Sequence, residues 1–204
     1  MPTRRVEAFS DGVIAILITV MVLELRAPDG ATWLALSHSV PVLLSYVLSF
    51  VYLGIYWNNH HHMLMATERV SGLLLWANLH LLFWLSLIPF ATGWLGENHF
   101  AATPAAVYGI VLLAAAAAYF ALQQSIIRAQ GDASPTLARA VGRDLKGKVS
   151  PLLYVIGIGL AAVNRWLSVA IYVIVALMWL IPDRRVERAL AADPRESSDA
   201  PPEQ

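Results

Sequence analysis

Arg5, Glu7, Ser10 and Asp11 open an apolar run that extends from Val13 to Leu23 and closes on Glu24. Four such groups at the head of a membrane-length helix are costly in hydrocarbon, so they must face protein or water, as in a relay, a pore wall or a binding site. Helical spacing puts Arg5 and Phe9 on one face and Asp11 on another, which asks for partners on more than one neighbouring helix. Buried polar groups are paired, and the polar side chains available are Trp57, His60, His61 and Asn78. Bonds from Arg5, Ser10 and Asp11 to these would clamp the first helix to a scaffold.

Further along the same helix, Ile16, Val20 and Leu23 recur at helical spacing and form a stripe, with Thr19 beside them. By periodicity alone this is a buried packing face. Thr19 is the only hydroxyl in mid-helix, and by itself it is expected to bond back to the carbonyl of Ala15. Glu24 at the far end would either attract cations to a mouth or sit in an interface.

The histidines suggest other chemistry. His60, His61 and His62 are consecutive, so on a helix they fan about 100° apart and do not converge on one metal. A helical zinc site wants histidines one turn apart, and no His-x-x-x-His is present. Pairing of one or two of them with Asp11, with a proton-sensitive charge, is the expected use. His80 is deep enough to ligate a haem, which opens a redox alternative, although no second histidine stands at similar depth on another helix. A proton-coupled transporter using the Arg5, Asp11 and histidine cluster as a relay is the other alternative.

These residues sit in a chain that is 58% hydrophobic and only 14% charged, against about 25% charged in soluble domains, so the class is an integral membrane protein. Cysteine is absent, which excludes disulfides, thiol catalysis and thiolate metal sites. No nucleotide loop, Ser/His/Asp constellation or paired catalytic carboxylates argues for an enzyme. Hydropathy predicts an all-α bundle of six spans, at about 6–25, 37–58, 71–95, 103–127, 149–164 and 166–182. Turn-rich breaks at Pro28-Asp29-Gly30, Glu97-Asn98-His99 and Gly131-Asp132-Ala133-Ser134-Pro135 separate the first spans, and Asn164-Arg165 makes the last two a tight hairpin. One membrane unit over 1–185 and a polar, disordered cytoplasmic tail over 186–204 are expected. The N-terminal span lacks a small-residue cleavage pattern and is expected to stay as a helix. Gly157-x-Gly159 reads as close helix packing, and Trp33, Trp57, Trp76, Trp94, Trp166 and Trp179, near span ends, read as an interfacial belt.

Placing the N-terminus in the cytoplasm puts Arg4, Arg5, Arg69, Arg128, Arg139, Arg143, Lys146, Lys148, Arg184, Arg185, Arg188 and Arg195 inside and leaves only Arg26 and Arg165 outside. That asymmetry predicts cytoplasmic termini. The basic stretch from Arg139 to Lys148 is met by topology and anionic headgroups, so no nucleic-acid partner is called for. Neither a Thr-Val-Gly-Tyr-Gly filter nor an Arg-rich voltage-sensing helix is present, so any channel here selects with side chains.

Three separated segments carry a family resemblance. Arg5-x-x-x-Phe9-Ser10-Asp11 with Gly12-Val13-Ile14-Ala15-Ile16 and Thr19 to Leu25, then Tyr56-Trp57-Asn58-Asn59-His60-His61, then Asn78-Leu79-x-Leu81-Leu82-Phe83 with Pro89-Phe90-Ala91-Thr92, agree in order and spacing over roughly the first ninety residues. The chain resembles the transmembrane protein 175 family, the lysosomal-type potassium channels and their prokaryotic homologues. The resemblance implies a potassium-permeable, potassium-selective channel of the prokaryotic plasma membrane, without a cofactor, in which chains of one six-helix unit form a homotetramer. It also implies that first helices line the pore, with Ile16, Val20 and Leu23 as constrictions and Thr19 as a candidate selectivity oxygen. Arg5, Phe9, Ser10, Asp11, Trp57, His60, His61 and Asn78 would then hold the pore helix.

Overall fold

The structure, a computed structural model, describes residues 2–65, 67, 69–130 and 145–180. Among these residues every regular element is a helix: α1 (Thr3–Leu23), α2 (Trp33–His38), α3 (Val40–Met65), α4 (Gly72–Ser86), α5 (Ile88–Glu97), α6 (Ala102–Gln130), α7 (Leu145–Ala161) and α8 (Arg165–Leu180). The all-α class expected from hydropathy is therefore observed. Four stretches are long and apolar enough to cross a bilayer: α1, α3, the continuous run Gly72–Glu97 that holds α4 and α5, and α6. The fifth and sixth expected spans correspond to α7 and α8, of 17 and 16 residues, which fall short of the ~20 residues a perpendicular crossing needs. Six crossings therefore do not follow from length alone. The tail at 186–204, the break at 131–135 and Arg139, Arg143, Arg184, Arg185, Arg188 and Arg195 lie outside the described residues.

Local chemistry explains the boundaries. Pro89 has no N–H for the Leu85 carbonyl and its ring crowds that carbonyl, so the third span breaks at Leu87. Ser71 caps α4 by accepting from the Leu74 N–H, and Asn164 Oδ1 accepts from the Trp166 N–H at 2.9 Å to open α8. Between α5 and α6, His99 and Phe100 both adopt left-handed φ, 49° and 59°. Such a conformation is disfavoured for residues with a Cβ; it is held by a Phe100 N–H to Leu95 carbonyl bond of 2.9 Å and by burial of the Phe100 ring beside Trp166.

Helix α1 packs on α3, α4 and α5, while α6 joins α4 to α7 and α7 packs on α8. The interior of the second group is a tyrosine cluster. Tyr52 Oη donates to the Tyr172 carbonyl at 2.6 Å and Tyr172 Oη to the Ala105 carbonyl at 3.1 Å. Interhelical bonds of this kind contribute roughly 0.6–2 kcal/mol each in a membrane. Gly157 permits the Tyr172 ring to approach, since a Cβ there would stand 2.6 Å from a ring carbon, whereas a Cβ on Gly159 would meet nothing. Close packing thus uses one glycine of the pair. Ser49 links α3 to α5 through Thr92 at 2.6 Å and to α6 through Tyr108 at 2.9 Å.

Candidate functional site

The two faces of α1 differ. Val6, Ser10, Ile14, Leu17 and Met21 repeat every three or four residues and are buried against α3, α4 and α5. On the other side Arg5, Phe9, Gly12, Ile16, Thr19, Val20 and Leu23 repeat at the same spacing and are exposed, Ile16 to 60% and Leu23 to 82%. The Ile16, Val20 and Leu23 stripe is therefore not a packing face within the chain, as periodicity alone suggested. Packing neighbours select the other stripe because only that one carries Ser10, whose hydroxyl has a partner on α4.

The buried face is anchored by hydrogen bonds near the start of α1. Ser10 Oγ donates to the Val6 carbonyl at 2.8 Å and accepts from Asn78 Nδ2 at 2.9 Å. Asn78 Oδ1 can only accept, so His60 Nε2, 2.7 Å away, donates to it. His60 Nδ1 is buried with no partner among the described residues; with Nε2 carrying the proton, a neutral ring leaves only a lone pair there. On the flank of α1, Trp57 Nε1 donates to Asp11 Oδ1 at 3.0 Å, and His61 Nδ1 meets Glu7 Oε1 at 2.8 Å. The His61 and Trp57 rings stack, with centroids 6.2 Å apart. Glu7 and Asp11 are one turn apart, as are His61 and Trp57, so the two contacts are successive rungs between antiparallel helices. Thr3 Oγ1 extends the ladder by donating to the Thr67 carbonyl at 3.1 Å.

Of the expected clamp residues, Ser10, Asp11, Trp57, His60, His61 and Asn78 are joined by these contacts, and Arg5 and Phe9 are not. Arg5 is exposed and makes no side-chain bond among the described residues, because it lies on the bare face with Phe9, itself 53% exposed. The expected pairing of a histidine with Asp11 is not formed: His61 takes Glu7, His60 takes Asn78, and the Asp11 carboxylate goes to an indole. Glu7 is the participant that residue-by-residue reading left without a partner. Its signal was present in the matched spacing of four between Glu7 and Asp11 and between Trp57 and His61.

Thr19 Oγ1 donates to the carbonyl of Ile16 at 2.9 Å, one residue nearer than the Ala15 carbonyl expected. The hydroxyl proton is thus spent within the helix, and the oxygen lone pairs stay on the exposed side. His80 Nε2 accepts from Trp84 Nε1 at 3.0 Å, which commits the lone pair a haem iron would need. The His62 ring lies 5.6 Å from that of His61, and no group of three His, Cys, Asp or Glu suited to a metal is found among the described residues. Glu24, just past α1, shares an open cleft with Arg26, Phe90, Trp94 and Glu97. Partial burial, and then the charge of Glu97, raise its carboxyl above the usual range.

Residues 5–89, which hold all but the first turn's start of α1 together with α2, α3 and α4, match the family model described as endosomal/lysosomal potassium channel TMEM175. A Chryseobacterium protein named a potassium channel is 50% identical over 190 residues, 93% of this chain and 98% of its own. The crystal structure of a lysosomal potassium-selective channel TMEM175 homologue from Chamaesiphon minutus superposes with a TM-score of 0.78 at 28% identity, covering 88% of this chain and 96% of that one. The chicken protein named endosomal/lysosomal proton channel TMEM175 is 34% identical over 43% of this chain and 20% of its own length. With a relative half identical over nearly its entire length, the chain belongs to the TMEM175 family, a family of ion channels and not of enzymes.

Proposed function

We propose that this protein is a potassium-permeable, potassium-selective channel, formed by four copies around an axis lined by α1. The bare face of α1 carries the reading: a helix bonded and buried on one side exposes Phe9, Ile16, Val20 and Leu23 along the other, an arrangement that a single chain leaves incomplete. Rings of Ile16, Val20 and Leu23 form the constrictions and gate, because a narrow apolar neck holds no stable water column. Thr19, its proton held by Ile16, turns oxygen lone pairs toward the same side, and four such oxygens favour the ion that sheds water at lower cost. The contacts of Glu7, Ser10 and Asp11 with α3 and α4 fix the tilt of the wall.

In this reading α7 and α8 cross the membrane with the other four spans, and both termini are cytoplasmic. Arg4, Arg5, Arg69, Arg128, Lys146 and Lys148 lie at one end of the bundle and Arg26 and Arg165 at the other, which supports that orientation and a bacterial plasma-membrane location. Residues 1–185 form the channel unit, with 186–204 as a polar tail, lipid and further copies of the chain as partners, and potassium as the permeant ion. A carrier relay through Arg5, Asp11 and the histidines is less well supported, since Arg5 stands outside the hydrogen-bonded set. Proton permeation is a second reading, favoured by the name of the chicken relative. Potassium flux into liposomes holding the purified protein, run beside sodium and a pH-sensitive dye, tests all three. Fast potassium-preferring flux is expected; proton uptake without potassium flux favours the second reading, and slow saturable uptake favours the carrier.

A further inference from the structure

Away from α1, a cavity of about 60 Å³ opens between α3, α6, α7 and α8. By the same measure a water needs about 10–15 Å³, so the space takes a group of a few heavy atoms. Its walls are the rings of Tyr119, Tyr154 and Trp179, and Phe120, 58% exposed, stands at its mouth. Some polar groups around it are committed: Trp179 Nε1 donates to Ser150 Oγ at 2.8 Å, and the Tyr154 ring packs beside that of Tyr52 with centroids 6.4 Å apart. Two are not. The Tyr56 hydroxyl, on a side chain only 9% exposed, makes no hydrogen bond among the described residues, and neither does the amide of Gln123. Asn59 donates to the Ile55 carbonyl at 2.8 Å and keeps its own oxygen to accept.

A mostly aromatic cavity with a few convergent donors and acceptors is the usual form of a small-molecule site. We infer that this cavity takes the hydroxyl head of a small alkanol-like amphiphile, hydrogen-bonded to Tyr56 and Gln123, with its apolar tail leaving past Phe120 toward lipid. Tyr56 and Asn59 share the turns of α3 that carry Trp57 and His60, which hold Asp11 and Asn78. A guest wedged between α3 and α6 therefore bears on the back of the α1 anchorage and changes ion flux. That second step rests on the channel reading above; occupancy of the cavity does not.

The test uses the purified full chain in liposomes, photolabelled with a diazirine-bearing octanol and mapped by mass spectrometry, with potassium flux followed as 1-octanol is added. Saturable adducts on Tyr119 or Tyr154, competed by 1-octanol, are expected. Tyr56→Phe removes one hydrogen bond and should weaken labelling about fivefold, and Ala116→Phe, which fills the cavity, should abolish it. Adducts that never saturate, or that are unchanged in Tyr56→Phe, overturn the site; should Ala116→Phe not fold, Tyr56→Phe decides alone. Octanol should alter flux in the parent and have severalfold less effect in Tyr56→Phe. Saturable labelling with no difference in flux response between these two proteins overturns the coupling. Absence of potassium flux in the untreated parent overturns the channel reading and the coupling with it, while the adduct map still decides occupancy.

Discussion

The two faces of α1 pose opposite problems. On one, each polar group that enters the bundle finds a partner: Ser10 on Asn78, Asp11 on Trp57 and Glu7 on His61, with Ile14 and Met21 closing the contact above them. On the other, seven residues at the same helical spacing are exposed, and the one side-chain bond found among them, from Thr19, stays within the helix. The lesson is that hydrophobicity does not tell packing from lining on a membrane helix, since lipid tails and core are equally apolar. Placement follows from the polar anchors, because an unpaired group in hydrocarbon is what the fold cannot tolerate.

The largest expected effect comes from cutting the anchored face. Asn78→Leu leaves Ser10 Oγ and the His60 ring without their buried partner, each costing about 1–3 kcal/mol, so a clear drop in thermal stability in detergent and a loss of the assembled oligomer on size exclusion are expected. Asp11→Ala should act in the same direction but less strongly, since its indole partner is half exposed. Retention of parent stability and assembly in Asn78→Leu would show that the network does not hold α1.

Moving one amide between the faces comes next. Ile14→Asn places a polar group where Ile14 is wholly buried, and should reduce folded yield. Ile16→Asn, two residues on and 60% exposed, should leave assembly intact, hydrate the neck and raise leak severalfold with weaker selectivity. Equal behaviour of the two variants in yield and flux would erase the distinction between the faces. A smaller effect is expected from Thr19→Val, which keeps the shape and removes the oxygen: the potassium-to-sodium permeability ratio should fall a few-fold with assembly unchanged. An unshifted reversal potential under potassium and sodium gradients would assign selectivity to another residue.

The smallest effect concerns Glu24, off the anchored face. A carboxyl raised in the folded protein binds its proton more readily there than in the unfolded chain, so its contribution favours folding at low pH and is lost as pH rises through the raised value. Glu24→Gln should therefore be slightly more stable than the parent at neutral pH, with the advantage closing as pH falls toward 4.5, the ordinary value. Melting temperatures measured across that range check the sign.

Much of α1 was legible in the sequence because polar residues in a long apolar run have few places to go. Ser10, Asp11, Trp57, His60, His61 and Asn78 could be named from that argument, and the structure brings them together. What could not be read was who pairs with whom. That depends on the antiparallel register of α1 and α3, which gives Glu7 to His61 and leaves Arg5 on the bare side. The helix α2 straddles the expected loop and the start of the expected span at 37, since its six residues are too few for a period to show. The break at Leu87 was marked by Pro89, although hydropathy runs through it unchanged. The cavity beside Tyr56 has no sequence signature, because its walls come from four helices.

The chain has no cysteine, so one can be placed on either face of α1 against a silent background. Potassium flux through Leu23→Cys and Ile14→Cys, before and after a charged, membrane-impermeant thiosulfonate, asks which face meets the ion path. Modification should cut flux sharply in Leu23→Cys and leave Ile14→Cys unchanged. Flux that responds in Ile14→Cys, or that ignores modification demonstrated by mass at Leu23→Cys, would place the ion path somewhere other than the bare face of α1.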